Sequence, residues 1–175
     1  MVRGASIVLV LAALALPVGA AAGGDAQATV AREPSLESLV LQRINEVRAS
    51  QGLGRLSASS DLSRAAVSHS RSMVVSGFFA HESKNGSPFW KRVKSFYAPR
   101  AGGWTVGENL AMFGGGGRPD ANAIVDSWLA SPGHRANLLS RRFSEAGIAI
   151  LHDPAAPGVY GGLSTWVVTL DVGAR

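Results

Sequence analysis

Apolar residues recur at helical spacing from position 36, at Leu36, Leu39, Val40, Ile44 and Val47, and Gly52 closes the run. The pattern predicts a first amphipathic helix. Ser59, Ser60 and Asp61 supply capping oxygens for a second helix with the stripe Leu62, Ala65, Ala66, His69 and Met73, ending near Gly77. Phe78, Phe79 and His81 lead into a polar turn at Asn85-Gly86, and residues 88–96 read as a short helix with Pro88 in its first turn. Residues 99–103 return to loop, and residues 104–112 are apolar around a single acid, Glu108. The glycines at 114–117 read as a mobile connection. They are no phosphate loop, because no Gly-Lys-Ser/Thr follows.

A third helix is predicted from Asp120, with Ala121, Ile124, Val125, Trp128 and Leu129 on one face, and Pro132 ends it. Ser131 suits the cap of a further short helix in which Pro132 is first, His134 third, and Leu138 and Leu139 face inward. Residues 146–151 and 163–170 are rich in Ile, Val, Trp and Leu. They predict two antiparallel strands joined by a loose loop over 153–162, with Trp166, Val168 and Leu170 sharing a face. Helices first and strands last argue an α+β sandwich over an alternating α/β fold.

Composition narrows the chemistry. The chain has 175 residues and no cysteine, which removes disulfide scaffolds, thiol nucleophiles and cysteine zinc sites together. Any metal must be held by His and carboxylates. Seventeen Lys and Arg against twelve Asp and Glu give a formal +5, so acidic surfaces are fitting partners. Residues 1–22 read as a secretory signal peptide: Arg3 is the only charge, an apolar run spans 5–16, and Pro17 and Gly19 break it before small residues. Cleavage after Ala22 is favoured, with Ala20 and Ala28 as alternatives. The apolar run is short of the roughly 20 residues a spanning helix needs, and no later segment qualifies. Residues 23–35 then read as a flexible lead-in to a single domain over 36–173. The mature product is expected to be monomeric, secreted or held at the cell envelope.

The usual catalytic strings are missing: there is no HExxH and no Gly-x-Ser-x-Gly elbow. Attention falls on the histidines and on Glu108. His69 sits on an apolar stripe and reads as a core imidazole bonded to a backbone carbonyl, while His152 reads as a solvated turn residue. His81 leaves the core edge before a polar turn, and Glu108 needs a cation, a donor or a metal to offset desolvation. His134, in the first turn of a short helix, would be held neutral by the helix dipole and so able to bind a metal.

These residues carry a family resemblance. The first helix holds Ile44-Asn45-Glu46-Val47-Arg48, then Gly52-Leu53 and Leu56. The second passes through Ala65-Ala66 and His69. Gly77-Phe78-Phe79-Ala80-His81, Ser87-Pro88-Phe89, Gly107-Glu108-Asn109-Leu110-Ala111 and the run Trp128 through Leu139 follow in order, with Phe143 and Gly147-Ile148-Ala149 beyond. Over residues 36–172 the chain resembles the CAP superfamily (cysteine-rich secretory proteins, antigen 5 and pathogenesis-related 1) in its cysteine-free bacterial SCP-like form. The resemblance implies a three-layer α-β-α sandwich with a small antiparallel sheet. It also implies a cleft where two histidines and acids meet, and which in several relatives holds a divalent metal. Here His81, Glu108 and His134 take those places, for zinc or another divalent cation, and Ser131 stands where animal and plant members carry a second acid. Two His and one Glu still make an open zinc site, although Ser131 has a competing role as a helix cap.

The family does not fix an activity. The leading expectation is a secreted binding module, not an enzyme, whose cleft takes a small apolar or anionic ligand or a lipid. A second is an envelope protein using Lys91, Arg92, Lys94, Arg135, Arg141 and Arg142 on anionic polymers or headgroups. A third is a metal-dependent, protease-like hydrolase working through His81, Glu108 and His134. Nucleic acid fits poorly with an exported chain.

Overall fold

The computed structural model describes residues 30–175. The expected leader and its cleavage positions lie outside the described residues. Strand β1 (Ala31–Arg32) precedes helix α1 (Pro34–Ser50), so part of the stretch expected as a flexible lead-in belongs to the fold. Pro34 starts the helix because its fixed φ suits a first turn and its missing N–H costs nothing there. The stripe of α1 is Leu36, Val40 and Ile44, all buried; Leu39, expected on that stripe, is 51% exposed. Position 39 lies one residue off the i, i+4, i+8 row that the other three define.

Strand β2 (Ser57–Ala58) and helix α2 (Ser60–Ser76) follow. Ser59 caps α2 by accepting from the Leu62 N–H, and Gly77 ends it in the left-handed conformation. Helix α3 (Phe89–Phe96) turns Val93 fully inward. Residues 104–112, for which the sequence indicated no regular element, supply most of strand β3 (Thr105–Gly114). Helix α4 (Ala121–Ala130) is capped by the Asp120 carboxylate on the Ala123 N–H at 2.8 Å, and α5 (Pro132–Leu138) follows at once. Strands β4 (Glu145–Ala156) and β5 (Leu163–Ala174) are longer than expected, so β4 and a short 3-10 turn at Gly158–Tyr160 take up most of the expected loose loop.

The sheet runs β1-β4-β5-β3, with β2 pairing β4 off this path. All pairs are antiparallel except the two-residue β2–β4 contact. Register places Ile148 opposite Leu170 and Ala111 opposite Val168. On one face Ile148, Ile150, Val168, Leu170 and Val172 pack under α1, α4 and α5, around the buried Trp128. On the other, Ala149, Leu151, Leu110 and Val167 meet α2, and α3 leans on α2 through Val93 and Tyr97. The result is the expected α-β-α sandwich. Gly147 makes the second face possible: a Cβ there would sit 2.0 Å from the Ser63 nitrogen, so any side chain would push α2 off the sheet.

Side chains cover the outer edge of β3, an arrangement that blunts strand-to-strand association. The Glu108 carbonyl accepts from Asn137 Nδ2 at 3.1 Å, and the Leu110 carbonyl accepts from the Trp128 indole at 3.0 Å. Among the described residues no helix is long and apolar enough to cross a membrane.

Candidate functional site

Side chains of β3 alternate between the two faces. Asn109 points toward α5, where its Nδ2 donates to the His134 carbonyl at 3.0 Å and its Oδ1 accepts from Asn137 at 2.8 Å. Glu108 points to the opposite face, toward α3. Gly107 lets α5 lie this close, since a Cβ there would meet the Asn137 side chain at 3.0 Å. His134 and His81, carried by opposite layers, therefore meet at the edge of one strand. Their ring centroids are 6.4 Å apart and tilted by 59°.

Glu108 lies beneath His81. Its side chain is 1% exposed, a position a carboxylate holds only with partners. Oε1 bonds His81 Nδ1 at 2.8 Å, and Oε2 accepts a short ion-paired hydrogen bond from Arg92 Nη2. Arg92, expected among the solvated basic residues, is instead buried in the site with its side chain 8% exposed. Its Nη1 also donates to the His81 carbonyl and the Ser83 hydroxyl, both at 3.3 Å. Phe89, Val93 and Phe96 seat α3 on the core and leave Arg92 at the margin of that stripe, aimed at Glu108.

Two environments set the histidines apart. The hydrogen bond to Glu108 raises the pKa of His81, with burial opposing it. That bond occupies Nδ1, and His81 keeps 47% of its side chain exposed. His134 is lowered, first by burial and then by the nearby His81. The helix dipole, invoked from the sequence, points in the same direction for His134.

Asp171 stands directly opposite Glu108 in the β3–β5 register and is wholly buried. Among the described residues neither of its oxygens meets a donor. Burial first, and then the charge of Glu108, hold its carboxyl well above the usual range. Neither Arg92 nor Asp171 was singled out from sequence as a site residue. The signal for Asp171 was the one that marked Glu108, an isolated acid in an apolar strand.

His81 thus bonds Glu108 and stands beside His134, but the three do not form a ready metal centre. Both Glu108 oxygens are engaged, and among the described residues no group of three His, Asp or Glu is arranged to hold a metal ion. Ser131 makes no cap hydrogen bond with its hydroxyl, contrary to expectation; its carbonyl accepts from the Arg135 N–H at 2.8 Å. His69 is the expected core imidazole, bonded to the Ala80 carbonyl at 2.8 Å and pushed down to about 4 by burial. His152 is no turn residue: it lies in β4, stacked on Trp166 at 4.1 Å with its Nε2 on the Ser164 hydroxyl. A groove of about 620 Å³ lies elsewhere, between α1 and β2, but it gathers no comparable set of titratable groups.

The layering and the two histidines over an edge-strand acid define a domain of the SCP type. The sequence profile described as the cysteine-rich secretory protein family, CAP, matches residues 41–170, and the chain belongs to that family. Among curated relatives, the uncharacterized protein YkwD of Bacillus subtilis is 34% identical over 113 residues, covering 64% of this chain and 41% of the relative. The uncharacterized membrane protein YlbC of the same organism is 28% identical over 114 residues, covering 65% and 31%. The chain thus spans less than half the length of these relatives. Among solved structures, an extracellular protein containing an SCP domain from Bacillus anthracis aligns with a TM-score of 0.63 at 24% identity, over 82% of this chain and 41% of that one. An outer surface protein of Borrelia burgdorferi aligns at 0.62 and 15% identity, over 84% and 99%. These likenesses show the fold.

Proposed function

We propose that this is an extracellular binding module whose His81–His134 cleft takes a small anionic ligand. The leader read in residues 1–22 and the extracellular and surface relatives support export. One observation carries the ligand chemistry: Glu108 bonds His81 Nδ1, which favours the charged imidazolium and leaves Nε2 as a donor at the mouth. His134 beside it, lowered and so neutral, adds a second polar group without a second charge. Among the described residues no hydroxyl hydrogen-bonds either imidazole of the pair, so a nucleophile–base arrangement has no support. The hydrolase reading is weaker still, because a zinc or other divalent ion on His81, Glu108 and His134 must compete with Arg92. Titration with inorganic phosphate at slightly acid pH should shift the His81 and His134 ring signals saturably, and His81→Ala should abolish the binding. Unmoved signals, or turnover of peptide or ester substrates, would contradict this reading.

A second reading, contact with anionic envelope polymers or headgroups, draws on Lys91, Lys94, Arg135, Arg141 and Arg142. None of them has a carboxylate within 4.0 Å among the described residues, whereas Arg32, Arg64 and Arg118 are all paired. Such binding should weaken steeply with salt, since screening acts over about 8 Å at physiological ionic strength.

A further inference from the structure

Glu108 and Asp171 place two carboxyl groups side by side in the sheet, away from water. A buried carboxylate persists only where a cation or several donors meet it. The cation present is the guanidinium of Arg92, and it is fixed on three acceptors, Glu108 Oε2, the His81 carbonyl and the Ser83 hydroxyl. Arg92 and His81 hold the same carboxylate, one on each oxygen, and His134 lies beside His81.

We propose that Arg92 is the resident cation of this cleft: its guanidinium takes the place of a divalent metal over Glu108, so the site is closed to metals as long as Arg92 is paired. The inference stands apart from the anionic-ligand reading and survives if that reading fails. Two imidazoles and a freed carboxylate are a donor set suited to zinc with an open position. Arginine suits the opposite task. Its charge is permanent, its planar fork carries several donors, and it is more weakly hydrated than an ammonium, so burial beside a carboxylate costs it less.

Calorimetric zinc titration of the full chain tests this in three forms: wild type, Arg92→Met, and Arg92→Met combined with Glu108→Gln. Arg92→Met should bind zinc at least tenfold more tightly than wild type, and the added Glu108→Gln should erase that gain. Zinc should likewise raise the melting temperature of Arg92→Met while leaving wild type unmoved, because a ligand stabilises only the folded form it binds. If Arg92→Met does not fold alone, zinc should restore its folded circular dichroism signal. Arg92→Lys, which keeps a charge but not the fork, should then fold and show an intermediate gain. Wild type binding zinc as tightly as Arg92→Met would overturn the proposal. So would Arg92→Met failing to fold with zinc while Arg92→Lys gains no affinity.

Discussion

Arg48 and Arg92 are both buried, and they do different things. Arg48 meets only backbone: it donates to the carbonyls of Gly54 at 2.8 Å, Leu138 at 2.7 Å, Ser140 at 3.0 Å and Phe143 at 3.4 Å. It thereby ties the end of α1 to the chain around and beyond α5. Its partners are neutral, and burial lowers its pKa without an opposing carboxylate. Arg92 instead ends on Glu108 at the edge of the sheet, and its effect reaches the cleft through a shared carboxylate. His69 and His81 divide in the same way: one is a core imidazole on a carbonyl, the other a half-exposed imidazole on the same Glu108. The partner, and not the residue type, decides whether a polar side chain serves the fold or the site.

Removing each arginine separates the two roles most sharply. Arg48→Met strands several buried carbonyls at once and should cost about 4 kcal/mol in urea unfolding, with little dependence on pH. Arg92→Met leaves a buried carboxylate unpaired and should cost about 3 kcal/mol near neutrality. That deficit should shrink as pH falls, because a lone buried carboxylate is relieved by taking up a proton. Equal pH dependence in both variants would erase the distinction.

The histidines give the next effect. His69 is lowered in the folded state from 6.5 to about 4, so its stabilising contribution is full above 6.5 and is lost as pH falls toward 4. The window is worth about 3 kcal/mol, and His69→Gln should flatten the acid limb of the stability curve. His81 has the opposite sign: its contribution is present below 6.5 and lost as pH rises through its raised value. Because His81 is half exposed, solvent screening holds that contribution under about 1 kcal/mol. The smallest contrast lies between two serines. Ser59→Ala removes a helix cap and should cost about 1 kcal/mol, whereas Ser131→Ala should cost less than about 0.5 kcal/mol, because its hydroxyl caps nothing.

The helices were legible because capping oxygens, prolines and stripe spacing all agree locally at Ser59, Asp120 and Pro132. Strand β3 was not, because residues 107–110 are buried on both faces and lack the alternation that marks a half-buried strand. The triad His81, Glu108 and His134 was reached by weighing isolated polar residues together with family resemblance. What completes it was hidden for two reasons. Arg92 looks like one more member of a basic surface until the seating of α3 turns it inward, and Asp171 becomes Glu108's neighbour only through strand register.

The shared Glu108 carboxylate is tested most directly by following the His81 ring proton through a pH titration in wild type and in Glu108→Gln. The His81 midpoint should lie above 6.5 and above that of His134 in wild type, and should fall when the carboxylate becomes an amide. A His81 midpoint at or below 6.5 in wild type, unmoved by Glu108→Gln, would contradict the account.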